Sequence, residues 1–153
     1  FDATQSCAGL PNANELTWYA AYGEPRWDAD ELWTTMGHLY KGGMWFKKKA
    51  NISGYNPNTA VDGRDWRTNL YSKNWSVSQT LPSAADANNY FYLPALGLYD
   101  KGRLFSVGSA GYYWSSSSGP WYSNYAYFLL FNSGGVYVDH TTRRGGLRTE
   151  ALQ

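Results

Sequence analysis

The chain has 153 residues, a length that fits one domain with its own hydrophobic core and is short for two. Its 13 Lys and Arg residues nearly balance 12 Asp and Glu residues, so it lacks the strong positive field that attracts nucleic acid or an anionic membrane. The single cysteine, Cys7, excludes an intrachain disulfide and a cysteine-based metal site, and no apolar run approaches membrane-spanning length. We expect no nucleic-acid partner and no membrane insertion by this segment.

The beginning of the chain predicts a linker followed by a helix. Residues 1–10 carry no periodicity, and we expect them to be a lead-in or linker to a single domain over residues 11–153. Asn12 precedes an amphipathic stretch over residues 14–21, which predicts a short helix that ends near Gly23.

A second short helix is predicted directly afterwards. Asp28 is a candidate N-cap, and Glu31 follows at the position that completes a capping box. Gly37 fits the end of this helix. Its buried stripe is predicted to consist of Leu32, Trp33 and Met36.

The middle of the chain predicts short strands joined by long connections. Residues 43–47 form a short aromatic strand pattern, and residues 51–78 have the Asn, Gly, Ser and Asp content of a long surface connection. Residues 90–97 are an apolar anchor, and residues 104–107 and 111–115 predict two more strands. Two helices followed by short strands indicate an α+β domain with a small antiparallel sheet and long loop connections.

The last third of the chain predicts a hairpin with two different faces. From the alternation of side chains we assign Tyr127, Leu129 and Phe131 to the core, with Val136 and Val138 after the turn at residues 132–135. The outward set shares neither charge nor size nor polarity, as though the scaffold were specified and the exposed face were not. We assign to it Tyr125, Phe128, Leu130, Tyr137 and Asp139, followed by His140, Thr141, Thr142, Arg144 and Gly145.

A genetic pattern is consistent with this mixture. Every residue type in the outward set can be written by a codon that ends in C or T, which is what remains when the two adenines of an Asn codon are randomised. Trp, Met, Lys, Gln and Glu cannot be reached in that way, and none of them occurs in residues 123–148. In so short a window their absence is also compatible with coincidence.

Several motifs together resemble a known family. They are ELTWY, WDADELW, GGMWFKK, YFYLPALG, GYYWSSS, AYFLLF and the closing GLR. From about Asn12 onward the chain resembles the bacterial C-type-lectin-fold domains of the Fibrobacter major-paralogous type. Its tail resembles the variable region of proteins diversified by diversity-generating retroelements in Bacteroides-group bacteria and their phages. The chain departs from many relatives at residues 147–149, which leaves the register of the last strand open.

The resemblance implies a hypervariable module for receptor binding or adhesion. It implies a cell-surface protein or glycan as the partner, a phage tail tip or a bacterial cell surface as the location, and a homotrimer or a fusion to an upstream assembly domain as the assembled form. The positions that match the diversified slots, and hence the expected ligand-binding residues, are Tyr122, Tyr125, Phe128, Leu130, Tyr137, Asp139, His140, Thr141, Thr142, Arg144 and Gly145. The alternative is a non-diversified interaction domain of a bacterial envelope or pilus-associated protein.

Catalytic and metal-dependent functions find little support in the sequence. The domain also resembles formylglycine-generating enzymes in outline. Those enzymes need a pair of active-site cysteines, whereas this chain has only Cys7. Ser115, Asp139 and His140 lack a nucleophile elbow, and we expect the adjacent Asp and His to project to opposite faces. The acidic loop residues have no calcium-loop spacing, and His38 is expected to cap or pack. We therefore expect no catalytic residues, no metal and no cofactor.

Overall fold

The computed structural model describes residues 9–120, 124–143 and 146–153. Its helix α1 spans Ala13–Tyr22 and begins with a complete capping box. The Asn12 side chain accepts a 2.9 Å hydrogen bond from the Glu15 amide, and the Glu15 carboxylate accepts a 3.0 Å hydrogen bond from the Asn12 amide. Gly23 ends the helix by donating to the carbonyl of Tyr19. The first predicted helix is confirmed.

The second predicted helix is wrong, because the same residues form a β-hairpin. Strand β1 spans Arg26–Thr35, strand β2 spans His38–Lys47, and the two pair antiparallel. Met36 and Gly37 join them with φ angles of 51° and 75°, which are the two positive values that a type I′ turn requires. Leu32 and Met36 are 60% and 61% exposed, so the stripe predicted to be buried is not buried.

Asp28 explains why the sequence suggested a helix start. Its carboxylate accepts hydrogen bonds from the amides of Asp30 at 3.0 Å and Glu31 at 3.1 Å, which is the chemistry of an N-cap. These amides lie in a β-bulge, where the pairing shifts between Asp28 and Leu32. The other carboxylate oxygen accepts a 2.9 Å hydrogen bond from the indole of Trp45 on β2. A local capping signal is therefore used inside a strand.

The remaining strands complete three antiparallel sheets. They are β3 (Lys73–Trp75), β4 (Tyr90–Pro94), β5 (Leu98–Asp100), β6 (Arg103–Phe105), β7 (Ala110–Ser118), β8 (Tyr125–Asn132) and β9 (Gly135–Thr142). The strand orders are β1-β2-β4, β3-β9-β8-β7 and β5-β6, and 3₁₀ turns lie at Lys49–Asn51 and Ala87–Asn89. In the part of the chain that the structure describes, the fold is β-rich with one α-helix, broadly within the α+β class.

The core lies where α1 and the two larger sheets meet. Phe46 of β2 and Phe131 of β8 are both fully buried, and their rings make an edge-to-face contact at 6.0 Å that joins the two sheets. Tyr19 of α1 packs edge-on against Phe91 of β4 at 5.7 Å. Trp66 is also buried, so the connection over residues 51–78 is not confined to the surface as predicted. Among the described residues, no helix is long and apolar enough to cross a membrane.

Candidate functional site

The β8–β9 hairpin supplies the buried centre of the inner face of the four-stranded sheet. Its register places Leu129 opposite Val138 and Phe131 opposite Val136. These four side chains and that of Tyr127 are inaccessible to solvent. The five residues predicted to form the core side of this hairpin are therefore confirmed as buried. They pack into the main hydrophobic core and so hold the hairpin against the rest of the domain.

The outer face of the same sheet carries five of the predicted ligand-binding residues. They lie in rows across β7, β8 and β9, because paired residues of neighbouring strands share a face. One row runs Trp114, Phe128 and Asp139, and the next runs Tyr112, Leu130 and Tyr137. In a third row, Ala126 is opposite Thr141. We call the side of the sheet formed by these three rows the outer face. It has an aromatic centre and a mixed polar rim.

Tyr125 and His140 do not belong to the outer face. Each lies two residues from an inward-facing neighbour, Tyr127 or Val138, and side chains two apart on a strand share a side. The His140 ring is stacked on Tyr125 at 6.2 Å and meets the Tyr127 ring edge-on at 5.8 Å. Its Nδ1 atom is 3.3 Å from the carbonyl of Tyr71. The assignment of Tyr125 and His140 to the outward set is corrected, and so is that of Thr142, which is paired with Tyr125 at the end of the hairpin.

The outer face is less exposed than predicted. Phe128 is only 9% exposed and forms a second small hydrophobic cluster with Trp114 and Ala126. Leu130 packs against this cluster and is partly buried, as are Tyr137, Asp139 and Thr141. The solvent-exposed patch predicted from the alternation is thus replaced by an apolar centre with half-exposed residues around it.

Residues that no sequence pattern singled out form a wall along one side of the outer face. A cavity of about 300 Å³ opens there, lined by Leu98, Asp100, Tyr112, Phe128, Thr141, Thr142 and Leu147. It exists because the end of the chain runs alongside β7. The Trp114 amide donates to the Arg148 carbonyl at 2.8 Å, and the Arg148 amide donates to the Tyr112 carbonyl at 3.0 Å. Sequence alone left this register open, since nothing local identifies the partner of so short a segment.

A second, shallower depression lies at the other edge of the sheet. Its volume is about 190 Å³, and its lining is Ser72, Lys73, Asn74, Tyr137, Val138 and Asp139. Strand β3 provides one wall because its Asn74 is paired with Tyr137 of β9. The predicted ligand-binding residues therefore contribute to two concave sites on one sheet rather than to a flat surface.

Among the described residues, Ser115, Asp139 and His140 are not arranged as a catalytic triad. Asp139 lies beside His140, with Oδ1 3.5 Å from Nδ1, because its carboxylate bends back to accept a 2.8 Å hydrogen bond from the His140 amide. The two side chains nevertheless leave opposite faces of β9, as expected, because Asp139 belongs to the outer face and His140 packs against Tyr125 and Tyr127. Ser115 is buried and donates to the carbonyl of Tyr127 at 2.8 Å, so it has no role as their nucleophile. Burial raises the pKa of Tyr127 to about 12.

No candidate metal site is found in residues 9–120, 124–143 and 146–153. No group of three or more His, Cys, Asp or Glu residues there could hold an ion. The acidic loop residues are used in local structure. Asp62 accepts from the Arg64 amide and the Trp66 indole, and Asp65 accepts from the Arg67 guanidinium and the Asn14 amide group.

Three predicted ligand-binding residues, Tyr122, Arg144 and Gly145, lie outside the described residues. Comparisons with protein-family models, with curated proteins and with solved structures found no match to this chain.

Proposed function

We propose that the chain is a receptor-binding or adhesion module with a C-type lectin fold, diversified by a retroelement, whose binding surface is the outer face. One observation carries the proposal. Phe128, Leu130, Tyr137, Asp139 and Thr141 share a single face, although they have no chemical property in common, while the centre of the opposite face is buried and consists of Tyr127, Leu129, Phe131, Val136 and Val138. Such a division lets the outer side chains change without disturbing the core.

The chemistry of this face suits molecular recognition. Tyrosine and phenylalanine supply large contact areas at a low cost in conformational entropy, and half-exposed Asp and Thr side chains supply adaptable polar contacts. The inner face keeps the strands rigid, so little order has to be gained on binding. We propose a cell-surface protein or glycan as the partner and no catalytic activity.

The small area of the face has a consequence for presentation. A site of this size gives modest affinity when alone, and several linked copies raise the overall affinity through effective concentration. We therefore propose that the module is displayed in several copies, as a trimer or on an upstream assembly domain, at a phage tail tip or on a bacterial surface.

The proposal is tested by removing the half-exposed side chains of the outer face together. We expect the triple variant Tyr137→Ala, Asp139→Ala and Thr141→Ala to lose binding to Bacteroides-type cells while its circular dichroism spectrum is unchanged. The binding energy of a small interface is concentrated in a few residues, so three losses remove most of it.

A matched control tests whether the effect is local. The triple variant Tyr22→Ala, Asp30→Ala and Thr34→Ala removes the same three residue types from exposed positions of α1 and β1. This variant should bind as the parent does. If the folded outer-face variant also binds as the parent does, the binding surface lies elsewhere and the proposal is wrong.

A genomic observation separates the diversified module from the non-diversified envelope domain. A reverse-transcriptase gene with a near-copy of the final coding segment, differing mainly at adenines, is expected beside this gene. If related genes vary no more at Tyr137 than at the buried Tyr19, the envelope interpretation is favoured instead.

A further inference from the structure

We propose that the cavity between the outer face and β5 accepts an arginine side chain of a protein receptor. This inference rests on the proposed function and adds the chemistry of the ligand. It also assigns a role in specificity to Leu98, Asp100, Tyr112 and Leu147, none of which was among the predicted ligand-binding residues.

The walls of the cavity suit the stem and the flat end of an arginine. Leu98 and Leu147 provide aliphatic contact, and the rings of Tyr112 and Phe128 are nearly parallel, with an interplanar angle of 22° and centroids 6.4 Å apart. An arginine buries its methylene groups along apolar surface and stacks its guanidinium group on aromatic faces. Both kinds of surface line the same cavity.

The rim of the cavity supplies a carboxylate, that of Asp100. Asp100 lines the cavity, and within the described part of the chain it makes no ion pair and no side-chain hydrogen bond. Its cross-strand partner Arg103 lies over the Phe105 ring at 5.6 Å, and Arg148 lies over the Tyr99 ring at 5.8 Å. Among the described residues no Lys or Arg lines the cavity, so the charge of Asp100 can attract a cationic ligand.

The lining also contains polar groups that can accept the N–H donors of a guanidinium group. Besides the Asp100 carboxylate, the lining contains the hydroxyl groups of Tyr112, Thr141 and Thr142. Each hydroxyl oxygen can accept a hydrogen bond from an N–H group. A guanidinium group carries five donors in a fixed plane and can bind a carboxylate with two of them. Arginine therefore matches this lining better than a neutral side chain does.

The size of the cavity favours a side chain over an extended glycan. Its volume of about 300 Å³ is at the lower end of the roughly 300–1,000 Å³ that is usual for small-molecule sites. A single side chain that projects from a protein surface fits this volume. Arginine is also among the residues that most often dominate protein–protein binding energy.

The test uses blocked arginine as the probe, with blocked citrulline as its neutral isostere. Chemical shifts of the Leu98 and Leu147 methyl groups are followed during titration of the full chain. We expect blocked arginine to bind about fivefold more tightly than citrulline, which is the ratio that corresponds to about 1 kcal/mol for an exposed charge pair.

Two variants assign the difference to Asp100. Asp100→Asn should weaken arginine binding about fivefold and leave citrulline binding unchanged. Glu31→Gln removes an equal charge from an exposed position of β1 and should change neither. Equal binding of arginine and citrulline, no effect of Asp100→Asn, or stronger shifts with glucose, galactose or N-acetylglucosamine would each overturn the inference.

Cell-binding measurements distinguish failure of this inference from failure of the proposed function. If a protein arginine is the ligand, protease treatment of the cells abolishes binding, periodate treatment does not, and Asp100→Asn weakens binding. Loss of binding after periodate alone would retain the outer face as a receptor site and reject the arginine. If blocked arginine binds the cavity but the outer-face triple variant still binds cells, the proposed function is wrong and the cavity assignment stands.

Discussion

The hydroxyl group of Tyr127 donates a 2.5 Å hydrogen bond to the carbonyl of Asn69 and so attaches the long connection between β2 and β3 to the central sheet. The same hydroxyl accepts a 2.9 Å hydrogen bond from the amide of Tyr71. The tyrosine has no exposed surface, so these two hydrogen bonds join the connection to a side chain that belongs to the core.

Tyr127→Phe should lower the free energy of unfolding by about 1–3 kcal/mol, because it removes two hydrogen bonds between the sheet and the connection. Chemical denaturation measures the change. Tyr137→Phe is the matched control, since no hydrogen bond of its hydroxyl is found within the described part of the chain, and it should change stability by less than about 0.5 kcal/mol. Equal losses in the two variants would show that the attachment of the connection contributes nothing.

The two faces of the sheet should differ in their tolerance of substitution. Leu129→Ala should cost roughly 2–5 kcal/mol through lost burial and the resulting cavity, whereas Thr141→Ala should cost no more than about 0.5 kcal/mol. Phe128→Ala should resemble the core substitution, because Phe128 packs against Trp114 and Ala126. Denaturation of the three variants measures these changes, and a neutral Phe128→Ala would contradict the second hydrophobic cluster.

Asp65 predicts a pH dependence of stability. The Arg67 guanidinium, which donates to both of its carboxylate oxygens at 2.9 Å, holds the pKa of Asp65 well below its usual range. A carboxyl group with a lowered pKa in the folded state stabilises the fold above its unfolded pKa of about 3.9, and this contribution is lost as pH falls toward the folded value.

The parent should therefore exceed Asp65→Asn in stability at neutral pH by no more than about 1 kcal/mol, because solvent screens the pair. The difference should shrink as the pH is lowered below about 3.9. Denaturation at pH 7, 5 and 3 measures it. Asp30→Asn, at an exposed position, should show no such trend, and a gap for Asp65→Asn that widens in acid would refute the argument.

Substitution of Gly37 tests the β1–β2 turn, which stands where a second helix was predicted. Gly37 has φ of +75°, and a Cβ atom added there would meet no atom within 4 Å, so only backbone strain opposes a side chain. Gly37→Ala should destabilise the protein by about 1 kcal/mol. Gly9→Ala is equally unhindered and lacks a positive φ, so thermal unfolding should show little change for it. A stabilising Gly37→Ala would argue for the helix.

Sequence and structure agree where one segment carries its own structural signal. The α1 cap needs only Asn12 and Glu15, three residues apart, and the β8–β9 hairpin needs only alternation on both sides of a Gly-containing turn. The buried set of that hairpin follows directly. The same alternation, counted strictly along β8, places Tyr125 on the same side of the sheet as Tyr127 and so predicts its inward position.

Tertiary structure decided the elements whose signals have two local solutions. Asp28 followed by Glu31 can cap a helix or hold a bulge, and the pairing of β1 with β2 selects the bulge, because the hairpin satisfies the strand hydrogen bonds and also supplies the Trp45 indole. Nothing within residues 26–37 contains that information.

The sequence by itself determined the capped helix, the hairpin and the side of the sheet that is buried, because each depends on spacings of two to four residues. Only the tertiary structure decided that Phe128 is covered, and that residues 146–148 run beside β7 and join β5 in forming a cavity. The physical reason is that these contacts join segments far apart in the chain, and their free energy comes from surfaces that meet only when the whole domain is folded.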